Sequence, residues 1–234
     1  MMVNLGFLLR RAGEILRTEG LLPLLRQGFT FLAGHLFRYE KYYLYEHTLR
    51  ESDESGFLPK GGDFTLEMVT TCQQADELAA VGLNFGSHLL SARGKLDKGA
   101  VACCLFINGE LAHIAWLAMS QQAKDSFAPL PYRVNFADKQ GCTGGAWTNP
   151  HYRGRGLMVY AYFKRLQFLW QNGFRSSRNA VNVANIISRQ AQVRLGPRVY
   201  AEGRYLKILC WDSWKEMPLS QIPPEGSGSF PDSA

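Results

Sequence analysis

The chain predicts an α/β fold. Three observations carry this. Apolar runs of strand length alternate with segments of helical period from about residue 64 to about 210, Asn108-Gly109 sits between two such runs as a tight hairpin signal, and Gly173 and Gly196 stand where two helices should stop. The predicted organisation is an amphipathic helical extension over 1–50, an α/β domain over 51–217 and a disordered tail over 218–234.

In the extension, Leu5, Leu8, Leu9, Ala12, Ile15 and Leu16 recur at helical spacing, with Arg10, Arg11, Glu14 and Arg17 between them. A second helix should begin near Pro23 and carry Leu25, Phe29, Leu32 and Leu36 on one side. Charges interrupt both, so neither reaches the roughly 20 apolar residues of a membrane span. No basic residue precedes Leu5 to Leu9, which argues against a signal peptide. A basic polar face, followed by the aromatic cluster at 39–46, suits peripheral contact with an anionic membrane through residues 1–37. Docking on the chain's own core or on a second subunit, as in a homodimer, is the competing reading.

FTLEMVTT from Phe64 predicts a strand, and CQQADELAAVGL a helix. GAVACCLFI and ELAHIAWLAM predict a hairpin across Asn108-Gly109. A loop with Pro129 and Pro131 follows, then a short strand at 132–136 and a further strand GCTGGAWTN. GLMVYAYFKRLQFLWQ predicts a helix ended by Gly173, SSRNAVNV a strand, ANIISRQAQVRL a helix ended by Gly196, and VYAEGRYLKILCW one or two last strands. IPPEGSGSFPDSA is rich in Pro, Gly and Ser, the composition of a disordered tail.

Cysteines number 5, without CxxC spacing, and the 5 histidines show no pair at ligand spacing. Neither a disulfide framework nor a metal site is predicted, and a reducing, cytoplasmic compartment fits. The net charge of +6 is uneven: residues 51–125 hold 10 acids and 5 bases, whereas Arg153 to Lys207 holds 11 bases against the single acid Glu202. Such a block attracts phosphate-bearing partners, and a merely solvated basic face is the bland alternative.

The stretch HYRGRGLMVY at 151–160 places two glycines and two arginines between a strand and an apolar helix. Glycines let the backbone turn tightly, and the unpaired N–H groups of the following helix present a positive dipole end, which together make an anion site. A P-loop needs GxxxxGK[ST], which is absent, and a dinucleotide fingerprint needs a small residue where Val159 stands. A single RG element clamped between a strand and an apolar helix does not fit a nucleic-acid segment, so no nucleic-acid partner is expected.

What remains resembles the GNAT superfamily of N-acetyltransferases, whose pyrophosphate loop reads Q/R-x-x-G-x-G/A after a strand ending V-x-P. The matching run is Thr148-Asn149-Pro150, then Arg153-Gly154-Arg155-Gly156-Leu157-Met158, with Met158 in place of the family's small residue. The family's N-x-x-S/A element and its closing glycine eleven residues after the Asn match Asn185, Ser188 and Gly196. The resemblance covers roughly 65–210, its specific part 148–196. It implies a GNAT-like mixed central sheet flanked by helices, acetyl-CoA or another acyl-CoA as donor, transfer of the acyl group to an amine of a small molecule or sugar, and donor binding by Thr148, Arg153, Gly154, Arg155, Gly156, Leu157, Met158, Asn185 and Ser188.

Two departures matter. The family's usual tyrosine, seven residues after the Asn and hydrogen-bonded to the departing thiolate, is Gln192 here, and the Phe after the closing glycine is Pro197. Either no residue at this place protonates the thiolate, or Tyr160, Tyr162 or Tyr200 substitutes, or the protein binds acyl-CoA without turnover. A third reading has the extension presenting a lipid-linked acceptor at the inner membrane face.

In the implied mechanism a backbone N–H of 146–148 polarises the thioester carbonyl. A lysine-type amine is only about 1 part in 2,500 neutral at pH 7, so a base is needed unless the acceptor is weakly basic. The candidate bases are Glu110, at the hairpin turn, and His113, in the strand after it. The competing readings are a solvated turn carboxylate and a core histidine satisfied by one hydrogen bond. Asn179 and Asn182 could order a water, or simply mark a polar strand end. Cys142 has no base paired with it in sequence and reads as a buried thiol.

Overall fold

The structure is a computed structural model that describes residues 37–60, 63–86, 88–209 and 211–218. The predicted helices of the extension before residue 37, and the tail after residue 218, lie outside the described residues.

Eight strands share one sheet: β1 (Phe37–Thr48), β2 (Thr65–Val69), β3 (Val101–Ile107), β4 (Glu110–Ala118), β5 (Gln140–Thr148), β6 (Ser176–Asn182), β7 (Arg198–Ile208) and β8 (Trp211–Pro218). Their spatial order is β2-β3-β4-β5-β6-β1-β7-β8. The helices are α1 (Cys72–Ala80), α2 (His88–Leu96), α3 (Gln121–Phe127), α4 (Leu157–Gln171) and α5 (Ile186–Val193). The described residues form two compact units. The larger contains the described residues between Lys41 and Gly203 together with residues 216–218. The described part of the smaller is residues 37–40, 204–209 and 211–215; within it Arg38 pairs with Glu40 at 2.9 Å and stands over the Tyr205 ring.

The predicted 1–50 extension does not reach residue 50 as helix. Residues 37–48 form β1, with three tyrosines in the run 42–45, side chains that suit a pleated surface better than a helix. It pairs antiparallel with β6 from Tyr42↔Asn182 to Thr48↔Ser176. Three of the described helices, α1, α4 and α5, are those the sequence predicts; α2 and α3 are not among its expectations. α2 contains Gly94 and lacks a clear apolar stripe, and α3 is a seven-residue segment capped by Ser120, whose Oγ accepts from the Ala123 N–H. The strand expected at 132–136 is instead a loop. Its alternation arises because Tyr132 and Val134 are buried against the sheet, with the Tyr132 hydroxyl 3.1 Å from Cys142 Sγ.

β2 to β5 run antiparallel to one another, and the hairpin between β3 and β4 turns on Asn108 and Gly109 at φ 51° and 77°. All seven residues of β3 are buried, as a central strand covered on both faces requires. α4 packs over β3 and β4 through Leu157, Tyr160 and Ala161 against Cys103, Leu105 and Ala112. Farther along it, Leu169 meets Val101, Leu117 and Phe174.

The site depends on one irregularity. β5 and β6 pair in parallel only at Gln140–Cys142 with Ser176–Arg178. Beyond that the two strands are held by other neighbours, β5 by β4 as far as Thr148 and β6 by β1 as far as Asn182. They therefore diverge, and a wedge opens in the middle of the sheet.

Candidate functional site

The loop from β5 to α4 begins with Asn149, whose Oδ1 accepts from the His151 N–H and fixes a short turn over Pro150–Tyr152. Gly154 and Gly156 follow at φ 79° and 81°. A Cβ on Gly154 would meet nothing within 4 Å, so the glycine answers the left-handed backbone rather than crowding. Gly156 is the N-cap of α4, and no side chain caps the helix there. The first amides of a fifteen-residue helix are thus left without a side-chain acceptor, at the end where the dipole is positive.

These elements wall a cleft of about 650 Å3, bounded by Trp147, Thr148, Arg153, Gly154, Met158 and, on α5, Asn185. Leu157 and Gly156 also line it. Arg155 does something different: its guanidinium lies 5.3 Å from the Tyr152 ring centre and its carbonyl accepts from the Lys60 N–H at 2.8 Å, tying the 54–60 segment to the loop. Nearby, Glu54 accepts from Tyr160 Oη and from Lys164 Nζ, and Phe57 stacks on Phe163 at 4.7 Å.

Asn185 is the N-cap of α5, its Oδ1 accepting the Ser188 N–H at 3.1 Å. That explains the N-x-x-S spacing: the side chain reaches the amide three residues on. The cap holds α5 across the wedge from β5. Ser188 itself lines an inner cavity of about 190 Å3. The inner cavity lies between Gly144–Ala146 on β5 and Asn179–Asn182 on β6, and shares Ala146, Met158, Asn185 and Ala191 with the outer cleft. Met158 stands at the junction of the two.

Along the wall of the inner cavity, which Tyr162, Arg165 and Gln192 help to line, runs a neutral polar row whose assembly sequence reading did not foresee. Gln192, 3% exposed, has its Oε1 2.9 Å from His47 Nε2, and the His47 ring centre lies 5.1 Å from that of Tyr162, whose hydroxyl is 2.9 Å from Thr143 Oγ1. Burial pushes His47 down to about 4, so it is neutral near pH 7, and the same burial raises Tyr162. Arg165, 1% exposed, donates from Nη1 to the carbonyls of Trp116 and Gly144 and from Nε to that of Ala161. The sequence signals for this row are Gln192, where a tyrosine is expected, and Tyr162, one of the tyrosines that could substitute for it.

The two candidate bases are not brought to the cleft. His113 is completely buried, its Nδ1 2.8 Å from Thr148 Oγ1, its Nε2 without a partner, and burial drives it down to about 3. It is a core histidine that positions Thr148, which corrects the expectation of a base. Glu110 is exposed at the start of β4 and accepts from Tyr152 Oη at 3.1 Å. Cys142 is buried beside Tyr132, and desolvation raises its thiol to about 11, the state of an inert thiol. The basic block is partly structural as well: Arg165 is buried, and Arg178 pairs with Glu46 at 2.7 Å. Among the described residues no group of three or more His, Cys, Asp or Glu could hold a metal, and no helix is long and apolar enough to cross a membrane.

No family model and no curated protein matches the chain. Solved structures do. The GCN5-related glucosamine N-acetyltransferase region of a fungal multi-domain GH3 β-N-acetylglucosaminidase aligns with TM-score 0.51 and 14% identity over 77% of this chain and 22% of that one. A GNAT-family acetyltransferase from Novosphingobium aromaticivorans gives TM-score 0.45 and 17% identity over 73% and 64%. A GCN5-related N-acetyltransferase from Sphaerobacter thermophilus gives 0.47 and 14% over 82% and 57%. In each case the alignment spans less than two thirds of the other chain's length.

Proposed function

From a chain that has the GNAT fold, we propose an acyl-CoA-dependent N-acyltransferase that moves an acetyl group from acetyl-CoA to a small-molecule or sugar amine. One observation carries the reading: an outer cleft headed by an uncapped helix N-terminus opens into an inner cavity where β5 and β6 part. The diphosphate of the donor fits the amides of Gly156–Met158 and the Arg153 guanidinium, which supply positive charge without needing a metal at that place. The thioester end then extends past Met158 into the inner cavity, where backbone N–H groups of β5, unpaired on the wedge side, polarise the carbonyl. His113 holds the Thr148 side chain at the mouth.

The chemistry is simple in outline. The amine nitrogen attacks the carbonyl carbon, the C–N bond forms as C–S breaks, and the thiolate leaves with the electron pair. The fungal neighbour is a glucosamine N-acetyltransferase region, and an amino sugar is one member of the acceptor class proposed for this chain. The experiment is free-thiol release from acetyl-CoA against a panel of amines. Thiol release that depends on the amine supports the reading, and CoA binding with no release from any amine replaces it with the second reading.

That second reading, a module that holds acyl-CoA without turnover, draws on Gln192. Its amide is bonded to His47 and carries no transferable proton for the thiolate. The expected membrane contact and homodimer rest on residues 1–37, almost all outside the described residues, and stay proposals for vesicle sedimentation and light scattering. So does a cytoplasmic location.

A further inference from the structure

Asn179 is 4% exposed, and its Oδ1 is buried without a hydrogen-bond partner. It lines the inner cavity. Two residues away on the same face of β6, the buried Ser177 Oγ is unpartnered too. Native interiors seldom leave a buried acceptor oxygen without a donor, and one that belongs to a residue of a cavity wall points to a ligand whose arrival completes it.

The charge around it is one-sided. The cavity is lined by Arg165, and none of its described lining residues is an Asp or Glu. Arg165 is bonded to three backbone carbonyls, which share its hydrogen atoms but do not neutralise its charge. The other titratable side chain facing this region, His47, is neutral near pH 7, and Tyr162 is a neutral phenol. A second cation in so small a space beside Arg165 is disfavoured, and none of its described lining residues is a carboxylate that could take a proton from an ammonium group.

We propose that Asn179 Oδ1 accepts an N–H of the incoming amine, and that the cavity therefore selects weakly basic primary amines, present in neutral form, over lysine-type alkylammonium groups. This rests on the acyl transfer proposed above. As the nitrogen attacks, it becomes positively charged and its N–H a stronger donor, so the bond to Oδ1 tightens in the transition state. The C–S bond breaks with its electrons on sulfur, and the proton lost by nitrogen balances the thiolate through solvent.

Two isomeric probes test it: Nε-acetyl-lysine amide, with a free α-amine, and Nα-acetyl-lysine amide, with a free ε-amine. At pH 7 their neutral fractions differ by about 300-fold. The full chain with acetyl-CoA should favour the α-amine isomer by at least about 100-fold in kcat/KM, and Asn179→Asp, which supplies a carboxylate, should narrow that preference at least about tenfold with the heat of CoA binding unchanged. Equal use of both isomers, or an unchanged ratio in a folded Asn179→Asp, overturns the proposal. If Asn179→Asp does not fold, Asn179→Thr and Asn179→Val decide: the Thr variant, which keeps an oxygen, should retain α-amine turnover and the Val variant lose it by about tenfold, and equal rates overturn the proposal. Failure of the donor reading is distinct, because it appears as no heat with CoA. Heat with no turnover of either isomer overturns this inference and leaves donor binding standing.

Discussion

His47 Nε2 and Gln192 Oε1 lie 2.9 Å apart, joining β1 to α5 beneath the wedge through side chains 145 residues apart in sequence. The bond is made by a neutral imidazole, since burial holds His47 near 4 and protonation would set a charge beside buried Arg165. His113 is likewise held neutral, near 3.

These two histidines predict acid lability with a definite sign. Their folded values lie below the usual 6.5, so the unfolded chain binds more protons between the two values. Their stabilising contribution is complete above about pH 6.5 and declines as pH falls toward 4. For His47 the full loss is on the order of 3 kcal/mol. Chemical denaturation at pH 7.5, 6 and 5 should show stability falling along this window, with a shallower fall in His47→Asn. An equal slope in that variant would remove His47 from the account.

Asn185→Ala removes the N-cap of α5. The expected cost is about 1 kcal/mol, which in a chain of this size lowers Tm by about 2–4 °C. Because α5 forms one wall of the outer cleft, CoA affinity should weaken along with it. Calorimetry and thermal melts on the same preparation read both effects.

Met158 stands where the outer cleft meets the inner cavity. Met158→Ala removes side-chain volume at the junction. The ratio of kcat/KM for butyryl-CoA over acetyl-CoA should rise by about tenfold, the order of discrimination that one or two methylenes in an apolar pocket provide. An unchanged ratio would mean that Met158 does not gate the acyl group.

Two glycine substitutions separate shape from conformation. A Cβ on Gly141 would sit 2.7 Å from the buried Leu169 side chain, so Gly141→Ala should destabilise by about 1–3 kcal/mol through overpacking and leave CoA binding intact at temperatures below the melt. Gly154→Ala meets open space but a left-handed backbone. It should cost about 1–2 kcal/mol and weaken CoA binding, because relieving the strain moves the loop amides. Denaturation midpoints and CoA titrations of the pair give the comparison.

How much of this was readable in the sequence follows from the range of each interaction. β2 to β6, α4 and α5 were legible because period, turn glycines and caps are local: Asn108-Gly109 and Asn185-x-x-Ser188 declare themselves within four residues. The cleft loop was legible for the same reason. β1 was not, since the tyrosines at 42–45 pair with a strand some 140 residues away, and an aromatic run does not announce its partner. His113 looked like a base because a polar residue in an apolar strand is ambiguous; only the fold shows Thr148 across from it in register. The His47–Gln192–Tyr162 row and the unpartnered Asn179 oxygen arise where three elements converge, and no spacing in the chain encodes that convergence.

The central claim is that the amides at the start of α4, with Arg153, hold a diphosphate. Titration calorimetry of the full chain with CoA and with pantetheine, which lacks the diphosphate, tests it most directly. The account predicts clear heat with CoA, binding weaker by at least about 100-fold with pantetheine, and a large loss of CoA affinity in Arg153→Glu. No heat with CoA on folded protein, or equal affinity for both ligands and for the Arg153→Glu variant, would contradict it.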